Sequence, residues 1–395
     1  MLPDTFCIAP FLQHTTHPSG SFSPCPYLGG TVFFKRHKTL KDQWLDPELN
    51  NLRSSFLNAE KNPICSRCWN EETYGKRSLR KRLYDLTTQT SDYAFAREPG
   101  FAQSLETAIR EKTYLNGPRI LTIKNGNVCN ARCRTCYPEC SSRWINDAKK
   151  INAITGQYWY NETNVEQNWS DQQIDDIVAT SHTLTRLELF GGEPLFNKQV
   201  KKLLGLIIAG GSAKNITLYC NTNGTVNFLD TMPEVTKFKN LEVGVSIDGV
   251  DEQFNYIRNG ADYAQVVNNV KLWKQTLSPE QFWIDCITTV NILNVFYLPE
   301  IKSRMCEIFG MSPFWNLLIE PRYLSIVNMP DRIKYSITDR LGQDAEFADL
   351  VLAMNQPTNL DEWSKFLKFT QVLDQIRNES FAKTFPEFYN LILTE

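Results

Sequence analysis

The sequence predicts an α/β protein: a partial (β/α)6 TIM-like barrel, with a small cysteine-rich module before it and a helical tail after it. Three observations predict this. From about residue 117, short β-rich runs alternate with amphipathic helical stretches. There are six such runs, fewer than a full eight-stranded barrel needs. Residues 1–75, by contrast, are rich in Pro, Gly, Ser and Cys and show little periodicity.

The elements follow in chain order. Residues 1–75 read as an irregular module that would fold poorly without a metal staple. Residues 76–116 read as a helical connector. The barrel spans 117–320, with strands expected at 119–124, 186–190, 215–221, 241–247, 283–290 and 315–320. Helices are expected between them, at 171–179, 199–209, 263–273 and 298–309. Strands that alternate with helices imply a parallel sheet, because each parallel crossover needs a connection long enough for a helix. In barrels of this kind the chemistry lies at the C-terminal ends of the strands. Residues 321–395 form the tail, with a helix expected at 360–377.

The totals exclude several classes. The chain has 395 residues, 42% hydrophobic and 22% charged, with a net charge of −2. That is ordinary globular composition and gives no support for nucleic acid or an anionic membrane as partner. The basic run at 76–82 (KRSLRKR) leaves RNA open, although such a run is more often a solvated helix face. The start, MLPDTFCIAPF, lacks the charged and apolar regions of a secretory signal, and no stretch is apolar for long enough to span a bilayer. The expectation is a cytoplasmic protein.

Eleven cysteines in such a chain point to metal or redox chemistry, since stable disulfides are rare in a reducing compartment. Cys220 and Cys286 sit in apolar strand-like runs and read as buried small hydrophobes. The first patterned group, Cys129-Asn-Ala-Arg-Cys133-Arg-Thr-Cys136, follows the first barrel strand. Three thiolates on one loop can hold three irons of a four-iron cube and leave the fourth iron open. With Cys140 as a fourth ligand, the same residues would suit structural zinc.

Later strand ends carry further ligand-capable groups. Phe190-Gly191-Gly192-Glu193-Pro194 combines glycines that allow close backbone approach with a carboxylate. Its bland reading is a helix-starting Glu-Pro turn. Asn221-Thr222-Asn223-Gly224 ends the third strand, and Asn-Gly alone is only a turn signal. Ser246 ends the fourth strand and Arg258 follows. The hydroxyl can bond a ribose and the guanidinium can grip a carboxylate. Their bland readings are a satisfied strand terminus and a surface ion pair. The order of these elements after successive strands is stronger than any one of them.

The C-x3-C-x2-C motif after a first strand resembles the signature of the radical S-adenosylmethionine (SAM) superfamily. The resemblance implies a [4Fe–4S] cluster on Cys129, Cys133 and Cys136, with SAM chelating the open iron. It implies reductive cleavage of SAM to a 5′-deoxyadenosyl radical that abstracts a hydrogen atom from the substrate, and a reducing donor such as a flavodoxin or ferredoxin. It carries contacts to the SAM amino group onto Gly191, Gly192 and Glu193. It carries proximity to the cofactor onto Thr222 and Asn223, ribose contact onto Ser246 and carboxylate contact onto Arg258. One departure is Thr135, where many members place an aromatic residue for the adenine; here Tyr137 follows the third cysteine instead.

Cys7, Gly20 and Cys25 form C-x12-G-x4-C, and Cys65 and Cys68 form a tight pair. This is similar to the start of SPASM and twitch modules, which hold auxiliary clusters. The resemblance implies a second [4Fe–4S] cluster on Cys7, Cys25, Cys65 and Cys68, in a module placed before the barrel rather than after it. A four-cysteine zinc site is the competing reading. The implied substrate is a peptide or protein. Dehydrogenation of a small molecule and RNA modification are the enzymatic alternatives. An iron–sulfur electron carrier or a zinc-stapled binding protein is the non-enzymatic one, disfavoured because the GGEP, Ser246 and Arg258 elements are all kept. No acid/base pair singles itself out as catalytic.

Overall fold

The structure is a computed structural model that describes residues 2–17, 21–28, 39–73, 77–83, 100–160 and 169–393. Gly20, Lys76 and residues 84–99 of the connector lie outside the described residues.

One sheet of eight strands organises the chain. The six expected strands are present as β3 (Ile120–Lys124), β4 (Arg186–Phe190), β5 (Thr217–Thr222), β6 (Asn240–Ser246), β7 (Phe282–Val290) and β8 (Phe314–Leu317). Each pairs in parallel with the next in chain order. Helices Asp171–Thr180, Lys198–Ala209, Tyr263–Thr276 and Leu298–Phe309 fill the connections where helices were expected. Sequential order with right-handed crossovers places these helices on one face of the sheet and curls the other inward. The fold is thus the partial barrel that the alternation predicts, with a helical C-terminus.

The sheet also has strands that the sequence reading lacks. β1 (Gln13–Thr16) pairs in parallel with β3, and β2 (Phe22–Ser23) pairs antiparallel with β1 at the edge. Four residues are too few to display a period of two, and the partner strand lies more than a hundred residues away. The segment expected to be irregular also holds helix Pro47–Leu57, capped by Asp46 with proline in its first turn. Phe6, Phe11, Trp44, Leu52 and Phe56 build a second apolar cluster there, and Ile120 of β3 joins it. Arg53, 1% exposed, ties that cluster together: it donates to Pro10 O (2.7 Å) and Trp44 O (2.9 Å) and lies over the Trp44 ring. Among the described residues no helix is long and apolar enough to cross a membrane.

The main core lies between the sheet and the helices. Leu121, Ile123, Leu187, Leu189, Leu218 and Val243 point outward into it. The alternate positions face the concave side and mix polar residues (Thr122, Arg186, Glu188, Glu242, Asp285 and Thr289) with Phe190, Tyr219 and Ile287. Thr122 donates to Glu188 (2.7 Å), and Arg186 bridges Glu188 and Glu242 (both 2.7 Å). Trp283 and Phe314 stand on the same face, 46% and 53% exposed.

His14 on β1 provides an acid trigger. It is fully buried, bonds Gln43 (2.8 Å) and stacks on Phe22. Burial pushes its pKa down to about 4. The folded state therefore keeps His14 neutral at pH values where the unfolded chain takes up a proton. Stability is lost as pH falls from about 6.5 towards 4, by roughly 3 kcal/mol for a shift of this size. Urea midpoints by tryptophan fluorescence should fall between pH 7 and pH 4.5, and fall less in His14→Gln. An equal fall in both proteins would refute this assignment.

Candidate active site

The candidate site lies at the C-terminal ends of β3 to β6, where four loops meet through short contacts. The first is the cysteine loop after β3. Cys129 and Cys133 are buried, and Cys136 is partly buried against them. Backbone bonds hold the loop in place. The Arg132 and Arg134 amides donate to Asn259 O (2.8 Å) and Ile257 O (2.7 Å). Trp144 Nε1 donates to Cys133 O (2.7 Å), and Ser141 Oγ donates to Ala131 O (2.5 Å).

The GGEP loop after β4 locks onto this loop backbone to backbone. Glu193 N donates to Val128 O (2.8 Å), and Asn125 N donates to Phe190 O (2.8 Å). Gly191 and Gly192 have φ of +86° and +46°, and a Cβ on Gly192 would meet Val128 O at 2.3 Å. Only glycine fits there. Glu193 is fully buried, and its carboxylate accepts from Thr222 Oγ1 (2.8 Å), Asn223 N (2.6 Å) and Leu195 N (3.0 Å). Burial raises its pKa to about 7 against the pull of those donors. Three of roughly four lone-pair positions are thus taken by the protein itself. In this structure Glu193 joins the β4 and β5 loops.

The loop after β5 reaches the cysteines. Asn223 Nδ2 donates to Asn130 Oδ1 (2.8 Å) and lies 4.0 Å from Cys129 Sγ. Asn130 donates in turn to Thr225 Oγ1 (2.7 Å). From β6, Ser246 Oγ stands 3.3 Å from Asn221 Oδ1. Arg258 is not a surface residue. Its guanidinium pairs with the buried Asp248 at 2.9 Å and lies 4.0 Å from Cys133 Sγ. Asp248 is oriented by Thr289 N (2.7 Å). The hydrogen bond from Cys136 lowers the Cys133 pKa, opposed by burial and aided by the Arg258 cation. Burial pushes Cys129 up. Tyr137, next to the third cysteine, lies against Cys140, whose charge raises its pKa.

These residues fit an iron–sulfur cluster in donor chemistry. Three thiols share one loop, and N–H donors from Asn223 and Arg258 face two of the three sulfurs, as an outer shell for thiolate ligands requires. With the present side-chain positions, no group of three or more His, Cys, Asp or Glu side chains among the described residues is set to hold a single metal ion.

The N-terminal cysteines also converge. Cys7 is raised by burial and then by Cys25 and Cys65, with Cys68 also contributing. All four thiols belong to the N-terminal apolar cluster or line it. Burial lowers the pKa of Lys124, at the end of β3, and the thiols of Cys25 and Cys140 act against it. Cys220 and Cys286 are buried within β5 and β7, and all eleven cysteines are free thiols.

Sequence reasoning missed one part of the site. Arg134 is 2% exposed by side chain, donates to Asp374 and Glu379 (both 2.6 Å) and lies 3.7 Å over Tyr256. Arg377 bonds Asp147 Oδ2 (3.0 Å) and Arg132 O (2.9 Å). The tail therefore grips both residues that flank Cys133. The only local signal was the pair of arginines inside the cysteine motif, and no spacing rule links them to residues 374–379.

Residues 123–296 match the model of the Radical SAM superfamily, under half of the chain. Similar solved structures include native anSMEcpe with bound AdoMet, at 18% identity and TM-score 0.41, covering 61% of this chain and 64% of that one. Streptococcus suis SuiB bound to S-adenosylmethionine is 13% identical with TM-score 0.39, covering 78% and 64%. The chain thus spans less than two thirds of the length of these relatives. No curated protein matches it.

Proposed function

We propose that this protein is a radical SAM enzyme that holds a [4Fe–4S] cluster on Cys129, Cys133 and Cys136. One observation carries the reading: loops after four consecutive parallel strands, each bearing a ligand-capable group, are joined by short contacts around one trio of thiols. The superfamily match over residues 123–296 supports it. The bound cluster and SAM would supply one-electron cleavage of the sulfonium and a primary radical that abstracts hydrogen from substrate.

The chain's own residues bind and orient. Arg258, held by Asp248 beside Cys133, is placed to take a carboxylate in bidentate fashion. Glu193 offers its remaining acceptor position to an ammonium while fixing the β4 and β5 loops. Gly191 and Gly192 let a ligand approach their backbone, and Ser246 presents a hydroxyl for a ribose. Asn223 fixes the far side of the cysteine loop, and Thr222 holds Glu193.

We assign Cys7, Cys25, Cys65 and Cys68 to a second, auxiliary cluster, supported by their place in or against one apolar cluster. A peptide or protein is the proposed substrate, as the motif resemblance implies. A flavodoxin- or ferredoxin-type donor would reduce the site.

The test is anaerobic purification with iron and sulfide reconstitution, then reduction by dithionite with SAM present. About eight irons per chain supports two clusters and about four supports one. Formation of 5′-deoxyadenosine is expected. A protein that takes up zinc in place of iron and leaves SAM intact would overturn the reading.

A further inference from the structure

The hold of the C-terminal helix on the cysteine loop implies an electrostatic role for that helix. Helix Leu360–Arg377 places its last residue against the loop. The Arg377 side chain is 0% exposed, and so is out of reach of bulk solvent screening. Its Nε and Nη2 bond Asp147 Oδ2, and Nη2 also bonds the carbonyl of Arg132, the residue before Cys133. Its guanidinium lies 5.1 Å from the ring centre of Trp144, whose indole bonds Cys133 O. Its remaining nitrogen, Nη1, is buried without a hydrogen-bond partner. A buried guanidinium with an unmet donor costs stability where it stands, unless something anionic lies nearby.

We propose that Arg377 is a positioning residue of the cluster site that, from the C-terminal helix, fixes Cys133 and makes reduction of the cluster easier. This rests on the proposed assignment of a cluster to Cys129, Cys133 and Cys136. A four-iron cluster on three thiolates carries a net charge of about −1 when oxidised and about −2 when reduced. A fixed cation bonded to the backbone next to one ligand stabilises the more negative form. Asp147, which pairs with both Arg132 and Arg377, opposes it. The two residues therefore pull the potential in opposite directions.

The experiment is a redox titration of the full-length reconstituted protein, followed by electron paramagnetic resonance of the signal that responds to SAM. In Arg377→Met, the ratio of reduced to oxidised cluster at a fixed potential should fall roughly tenfold, which is ~59 mV for one electron. Arg377→Lys keeps the charge and should titrate close to wild type. Asp147→Asn should shift the midpoint the other way. An iron-replete Arg377→Met protein with a wild-type midpoint overturns the proposal. If Arg377→Met fails to load iron, Asp147→Asn decides, and an unchanged midpoint there overturns it. Failure of all three variants, lysine included, to load iron would make Arg377 a folding residue and also overturn it. A wild-type protein with no SAM-responsive signal would instead refute the cluster assignment beneath it.

Discussion

Replacing Cys129, Cys133 and Cys136 together with alanine should abolish 5′-deoxyadenosine formation and remove about four irons per chain. The reason is the shape of the loop. Its backbone is held by bonds from Arg132 and Arg134 to the 257–259 segment, by Trp144 and by Ser141, none of which uses a thiol. Alanine therefore removes ligands while leaving the scaffold bonds in place, and circular dichroism should report an intact fold. Iron on Cys7, Cys25, Cys65 and Cys68 should persist if those four hold their own cluster. SAM cleavage by the triple variant would break the ligand assignment. Loss of all iron would instead tie the N-terminal thiols to the same centre.

Gly192→Ala should be as damaging to activity without touching a ligand. The new methyl group would sit 2.3 Å from Val128 O, and φ at this position is +46°. The left-handed backbone costs about 1–2 kcal/mol for a residue with a Cβ. Overpacking against a fixed carbonyl adds about 1–3 kcal/mol. Val128 cannot yield freely, because its carbonyl accepts from Glu193 N and its neighbour is Cys129. Relief requires the GGEP loop and the cysteine loop to part. The expected result is a drop of about 2–5 kcal/mol in unfolding free energy, with poor iron retention. Gly205→Ala is the contrast. It lies in helix Lys198–Ala209 with nothing within 4 Å of its added Cβ, and it should gain about 0.5–1 kcal/mol. Equal stability of the two variants would refute the steric account.

Much of the fold was legible because its signals are local. β4 and β6 alternate apolar and polar residues over most of five and seven positions. Helix Lys198–Ala209 shows its buried face as Val200, Leu203, Leu204 and Ile207. The candidate ligands were legible for a similar reason: they cluster within a few residues of a strand end. β1 was not legible, since four residues give no period and a partner at 120–123 gives no local trace. Asp248 went unnoticed as the partner of Arg258, which reads in sequence as a carboxylate contact with a surface ion pair as its bland alternative.

By itself the sequence determined that parallel strands alternate with helices, that three thiols share one loop, and that glycines, a glutamate and an arginine follow later strands. Side-chain period and loop spacing encode those facts within short windows. Only the tertiary structure decided that Arg134 is closed over by Asp374 and Glu379, that Cys7, Cys25, Cys65 and Cys68 share one apolar cluster, and that Glu193 spends its acceptors on the β5 loop. Those are contacts between distant segments. They form because a buried charge or polar group must find a partner wherever the fold has placed one.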